Sequence, residues 1–163
     1  MRGPGVSQRH HVLARLARSA RQLRLLLNVW PPFLFSGIRV KHLSHDFRYV
    51  RVRLGKHLLT SNYFGTQFGG TMFAMTDPFW TILVAQNLGP EYTVWDRRAE
   101  IEFLAPGRTA VTAEFTLDQA TVDELRTAAA DGQKVLRWFS NDITDVQGTV
   151  VARARKQVYV RRK

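Results

Sequence analysis

Apolar residues recur along the chain with two periods, and the switches between them divide it into elements. Over residues 11–28, Val12, Leu13, Leu16, Ala20, Leu23 and Leu27 follow helical spacing, with Arg15, Arg18, Arg21 and Arg24 between them. The spacing predicts an amphipathic helix, ended by the Trp30-Pro31-Pro32-Phe33 stretch because proline cannot continue it. Alternation then takes over. Residues 37–43 and 47–54 read as two strands joined by a turn at Ser44, His45 and Asp46. From 70 to 87 the chain is apolar on nearly every side, which predicts one buried helix, kinked by Pro78 and followed by Gly89 and Pro90. Residues 92–104, 109–117, 134–143 and 149–160 alternate again and predict four strands, interrupted by a short surface helix over 120–131. This order implies an α+β fold, an antiparallel sheet curling around one central helix, with an extra helix in front.

Composition narrows the picture. A chain of 163 residues, 45% hydrophobic, suits one globular domain with a sizeable core. The absence of cysteine excludes disulfides and thiol chemistry. The longest apolar run contains Asp77, Pro78, Gln86 and Asn87, so no membrane span is expected, and a cytoplasmic location is. The net charge of +11 is uneven. Residues 1–45 carry eight Lys and Arg and no acid, whereas the remainder carries sixteen against thirteen. A basic front end could meet nucleic acid, anionic lipid or a phosphorylated ligand, but a solvated helix face on a loose terminus at residues 1–8 is the simpler reading. Such an Arg-rich start also resembles an organelle transit peptide, although no cleavage signal stands out. The expected division is a basic amphipathic helix and terminus over 1–28 and a single domain over 29–163.

The candidate chemistry sits in the central segment. Between Lys56 and Glu91 the only formally charged side chain is Asp77. A carboxylate in so apolar a run needs hydrogen-bonding partners, a raised pKa or exposure in a cleft. Gly69 and Gly70 ahead of it would let a ligand or another chain approach the backbone closely. Ser44, His45 and Asp46 are adjacent in sequence and cannot converge as a triad. His10, His11, His42, His45 and His57 lack metal-ligand spacing, so no metal site is expected. Met72, Phe73, Met75, Phe79 and Trp80 read as core or subunit packing.

The layout resembles the hotdog fold, and the stretch FGGTMFAMTD resembles the HGG-x-x-F-x-x-x-D signature of phenylacetyl-CoA and 4-hydroxybenzoyl-CoA thioesterases. GIRV, DFRYV, FGGTMFAMTDPFW and VWDRRAEIEFLAPGR resemble an uncharacterised bacterial branch related to tetrameric acyl-CoA thioesterases, over roughly residues 30–160. The resemblance implies that the Gly69 N–H polarises a thioester carbonyl, that Asp77 acts as base or nucleophile, and that Asn62 positions substrate or water. It places Gly70, Gln67 and Phe68 against the substrate. Phe68 stands where the family has histidine, with Gln67 beside it as a polar substitute. It further implies coenzyme A as part of the substrate and no other cofactor, and a homodimer or homotetramer with the site shared across a dimer interface.

Two function classes follow: an acyl-CoA thioesterase, or a hotdog protein that binds acyl-CoA or a similar acyl ligand without turnover. A third, weaker reading makes the N-terminal helix a membrane-surface contact. Nucleic acid is not an expected partner. On the catalytic reading, Asp77→Asn should abolish activity with the melting temperature unchanged or raised.

Overall fold

The computed structural model describes residues 19–163. The expected loose terminus and the first part of the N-terminal helix, with Val12, Leu13 and Leu16, lie outside the described residues. The described helix, α1 (Ala20–Val29), starts at Ser19, whose side chain accepts from the Gln22 N–H. It buries Ala20, Leu23 and Leu27 in the main core. A short helix, α2 (Pro31–Phe35), follows with proline at its first position, where no N–H is missed.

Six strands form one antiparallel sheet: β1 (Ile38–Leu43), β2 (Tyr49–Leu54), β3 (Tyr92–Phe103), β4 (Val111–Thr116), β5 (Val135–Asp145) and β6 (Val150–Arg162). Their order across the sheet is β1-β2-β4-β5-β6-β3, so β1 and β3 are the two edges. The β1 edge is covered. Asn28 at the end of α1 donates to the Val40 carbonyl at 3.1 Å and accepts from the Val40 N–H at 2.7 Å. That pair occupies the backbone groups another strand would use. β2 starts two residues later than the alternation predicts, because Phe47 adopts φ 55° in a turn whose Ser44 Oγ accepts from the Arg48 and Tyr49 N–H groups.

The sheet wraps a central helix, the hotdog arrangement. That helix is kinked at Pro78, as the sequence predicts, and the kink is a full break between α3 (Gly69–Ala74) and α4 (Phe79–Leu88). Pro78 has no N–H for the Ala74 carbonyl, which accepts instead from Asp77 N at 3.1 Å. The turn tightens there, and Thr76 N likewise bonds back to Phe73 O. Beyond the break, Phe79 packs between Phe33 and Phe115, with ring centroids 6.0 and 5.1 Å away, and Trp80 stacks on Phe139 at 4.6 Å. Met72 and Met75 are buried in the same core. The last helix, α5 (Gln119–Ala128), is capped by Asp118 and buries Val122 and Leu125.

Candidate functional site

The loop entering α3 is built around Asn62. Its Oδ1 accepts from the Phe64 and Thr66 N–H groups, both at 3.0 Å, and its Nδ2 donates to Thr66 Oγ1 at 2.9 Å and Gln67 O at 3.4 Å. An asparagine amide offers two donors and one acceptor oxygen with two lone pairs, so the loop takes all of it. Holding a substrate would require releasing part of that set. Gln67 turns inward and is 1% exposed. Its Nε2 bridges the Gly55 and Thr109 carbonyls at 3.0 and 2.9 Å, and its buried Oε1 has no hydrogen-bond partner among the described residues. Gln67 therefore ties the loop to the ends of β2 and β4, while its neighbour Phe68 is exposed.

Gly69 and Gly70 open α3. Neither N–H donates to an acceptor among the described residues, whereas Thr71 and Met72 both bond back to Phe68 O. A Cβ on Gly69 would lie 2.7 Å from the tip of the Phe103 ring, and one on Gly70 would lie 2.8 Å from Phe68 Cε1. Both rings are more than half exposed, so the two glycines sit under a shallow aromatic cover at the surface. Tyr63 and Phe64 are also exposed and meet edge to face at 5.4 Å. Beside them an open groove is lined by Lys56, His57, Asn62 and Tyr63, among others.

Asp77 lies in the break between the two helices, with its side chain 67% exposed. Its partner is a buried cation that the central segment does not contain. Lys156 is 2% exposed, and its Nζ donates to Asp77 Oδ1 at 2.6 Å, to Asp77 O at 2.9 Å and to Asp96 Oδ2 at 3.1 Å. The Phe73 ring lies on another side of the ammonium, 5.8 Å to its centroid. Asp96 is held in turn by Thr81, whose Oγ1 donates to Asp96 Oδ1 at 2.5 Å. Asp77 Oδ2 accepts no hydrogen bond among the described residues.

Within one chain, then, the residues singled out from the sequence form two groups. Asn62, Gln67, Phe68, Gly69 and Gly70 share the loop and the start of α3, while Asp77 belongs with Lys156, Asp96 and Thr81. No hydrogen bond joins the groups. Lys156 and Asp96 do not appear in the central-segment reading, yet a signal for Lys156 exists. It falls in register with Ala152, Ala154, Val158 and Val160, all buried, so the strand's alternation assigns a lysine to the core face. Among the described residues no group of three or more His, Asp or Glu is placed to hold a metal ion, and no helix is long and apolar enough to cross a membrane.

Solved structures share this architecture. The protein PA5026 from Pseudomonas aeruginosa, of unknown function and named a probable thioesterase, superposes with a TM-score of 0.77 at 22% identity, over 86% of this chain and 93% of that one. Thioesterase HI1161 from Haemophilus influenzae gives 0.65 at 17% identity, over 90% and 92%. A mutant form of thioesterase PA1618 from Pseudomonas aeruginosa gives 0.64 at 15% identity, over 88% and 94%. At these identities the likeness establishes a common fold, one on which proteins named as thioesterases are built. No curated protein matches the chain. The model of one family covers residues 18–160, α1 and all of the sheet but the last two residues of β6 included, and the chain belongs to that family, the Domain of unknown function DUF4442.

Proposed function

We propose that the protein is a thioesterase that hydrolyses an acyl-CoA thioester beside the central helix. The observation that carries this reading is Asp77, an exposed carboxylate with one oxygen anchored and the other unengaged. The free oxygen can take a proton from water as that water adds to the acyl carbon. Collapse of the adduct breaks the carbon–sulfur bond, the proton held by Asp77 passes to the departing thiolate, and the coenzyme A thiol and a carboxylic acid are released with the carboxylate regenerated. The Gly69 N–H, without an acceptor of its own, is the donor for the developing oxyanion. The fold shared with proteins named as thioesterases supports the assignment.

Gly69 and Asp77 belong to different groups within the chain, so the working site draws on a second copy, and the protein is at least a homodimer. Two observations support this. Among the described residues no helix caps the β3 edge as α1 caps β1, and the apolar residues left exposed on it and on the adjoining loop include Trp95, Phe103, Leu104, Tyr63, Phe64 and Phe68. Light scattering at micromolar concentration should return twice the chain mass or more; a stable monomer refutes the shared site.

A second reading is an acyl-CoA binder without turnover. Phe68, in the place of the histidine implied by the resemblance, and the saturated Asn62 amide favour it, since both remove polar groups from the loop side. Incubating the protein with a panel of acyl-CoAs and detecting free thiol decides between the two. Thiol release above that of the Asp77→Asn variant supports hydrolysis, and calorimetric binding with no release supports the binder.

A further inference from the structure

We infer that Lys156 is the positioning residue for Asp77, a buried cation that fixes the carboxylate with one oxygen held and the other presented for reaction. The inference rests on the thioesterase reading and deepens it. An ammonium has three protons, and all three are assigned here: two to a single residue, through Asp77 Oδ1 and Asp77 O, and one to Asp96 Oδ2. Gripping side chain and main chain of one residue at once removes both the rotamer freedom of Asp77 and the play of the turn that carries it. The main-chain half of the grip exists because the helix is broken: no Thr81 N–H bond reaches the Asp77 carbonyl, and Lys156 takes its place.

The imbalance in exposure separates positioning from simple charge pairing. Asp77 is 67% exposed and water would satisfy it, so it gains little from a partner. Lys156 is 2% exposed, and enclosing an ammonium is costly where an apolar residue of the same size would fit. Its neighbours in register, Ala154 and Val158, are apolar and fully buried. A fold needing only stability would continue that series. The lysine is itself held from behind, by Asp96 and through it Thr81 on α4, so the carboxylate is anchored to the rigid half of the central helix and to β3 and β6. Phe73 closes another side.

The test compares wild type, Lys156→Met and Asp96→Asn on a panel of short-, medium- and long-chain acyl-CoAs and phenylacetyl-CoA, with kcat and KM normalised to the folded fraction. Methionine keeps the length of the stem and removes the ammonium. Displacing a reacting group by about 1 Å costs on the order of 10²-fold, so Lys156→Met should lose about that in kcat while KM stays within about twofold. Asp96→Asn leaves both contacts to Asp77 and slackens the rear anchor, so a smaller loss of kcat, on the order of 10-fold, is expected, again with KM nearly constant. It also decides the matter if Lys156→Met does not fold. Unchanged kcat per folded molecule, with only the melting temperature lowered, overturns the inference and leaves Lys156 as a pin of the fold. A raised KM at constant kcat overturns it too, since Lys156 would then act on substrate binding. A wild type inactive on every thioester refutes the thioesterase reading itself, and the positioning role with it, before any variant is made.

Discussion

The two halves of the central helix are built for different work. In α4, Phe79, Trp80, Leu83, Val84 and Leu88 are buried, and the half is rooted in aromatic contacts to α2, β4 and β5. In α3 and the turn after it, Met72, Met75 and Thr76 are buried, while Gly70, Ala74 and Asp77 are exposed and Gly69 lies under the edge of a ring. Both come from one apolar run. The difference is made at Pro78, which interrupts the hydrogen-bond ladder and lets the first half be steered by contacts outside it. One half holds the sheet closed; the other presents backbone N–H groups and a carboxylate to solvent.

The comparison is broken most deeply at Asp77. On the proposed thioesterase reading, Asp77→Asn should lower turnover on the order of 10²–10⁴-fold, the range for losing a positioned base. Its melting temperature should fall rather than stay level or rise, the outcome expected from the sequence alone. The wild-type carboxylate is not an uncompensated buried charge but the exposed partner of a buried lysine. Replacing it weakens the pairing of Lys156 by about 1–3 kcal/mol. Turnover must therefore be scored per folded molecule. Retained activity at full folding would move Asp77 into the structural half.

Phe79→Ala tests the other side. Removing a fully buried ring between Phe33 and Phe115 should cost about 3–5 kcal/mol of unfolding free energy, measured by denaturant titration. Turnover per folded molecule should change far less than for Asp77→Asn. A comparable loss of turnover would show that the halves are not separable. Asn62→Ala should cost about 0.5–1.5 kcal/mol, because the Phe64 and Thr66 N–H groups lose their acceptor and exchange it for water. If Asn62 does nothing beyond holding its loop, the cost appears in stability, and the kcat of the proposed thiol release is kept per folded molecule.

The smallest effect concerns pH and lies outside both halves. The Thr121 N–H holds the Asp118 carboxyl below the usual carboxylate range. A carboxyl group lowered on folding adds stability above its unfolded value and loses it as pH falls through the folded one. Wild type should therefore melt above Asp118→Asn at neutral pH, and the gap should close below about pH 4. A gap that persists at low pH would make the cap independent of charge.

Most strands were legible because they alternate and bury one face; β3 is the exception, with no buried residue and an exposed run over Arg97, Arg98, Ala99 and Glu100. Val50, Val52 and Leu54 point inward and Arg51 and Arg53 outward, as spacing alone requires. The break in the central helix was legible only as a kink, since proline announces a lost bond but not where the freed carbonyls turn. Asn62 was legible as a candidate and not as a saturated one, because hydrogen-bond partners supplied by loop closure leave no trace in spacing. Gln67 looked like a substitute for a neighbouring histidine, and its side chain goes instead to carbonyls 12 and 42 residues away in sequence.

What the sequence determined by itself is local: the periods that make the strands and helices, the proline that ends one helical segment, the glycines that bare a backbone, and one carboxylate in an apolar run. What tertiary structure decided is which groups meet. Lys156 lies 79 residues from Asp77 and Asp96 lies 19 from it, and neither is marked as a partner by any short-range pattern. They meet because β6 and β3 pair antiparallel, in the register that sets Asp96 opposite Val158 and Lys156 opposite Ala99, and because the sheet then folds over the break in the helix. Charge attraction acts through space and not along the chain. The environment of Asp77, exposed but anchored, therefore exists only once the sheet has closed.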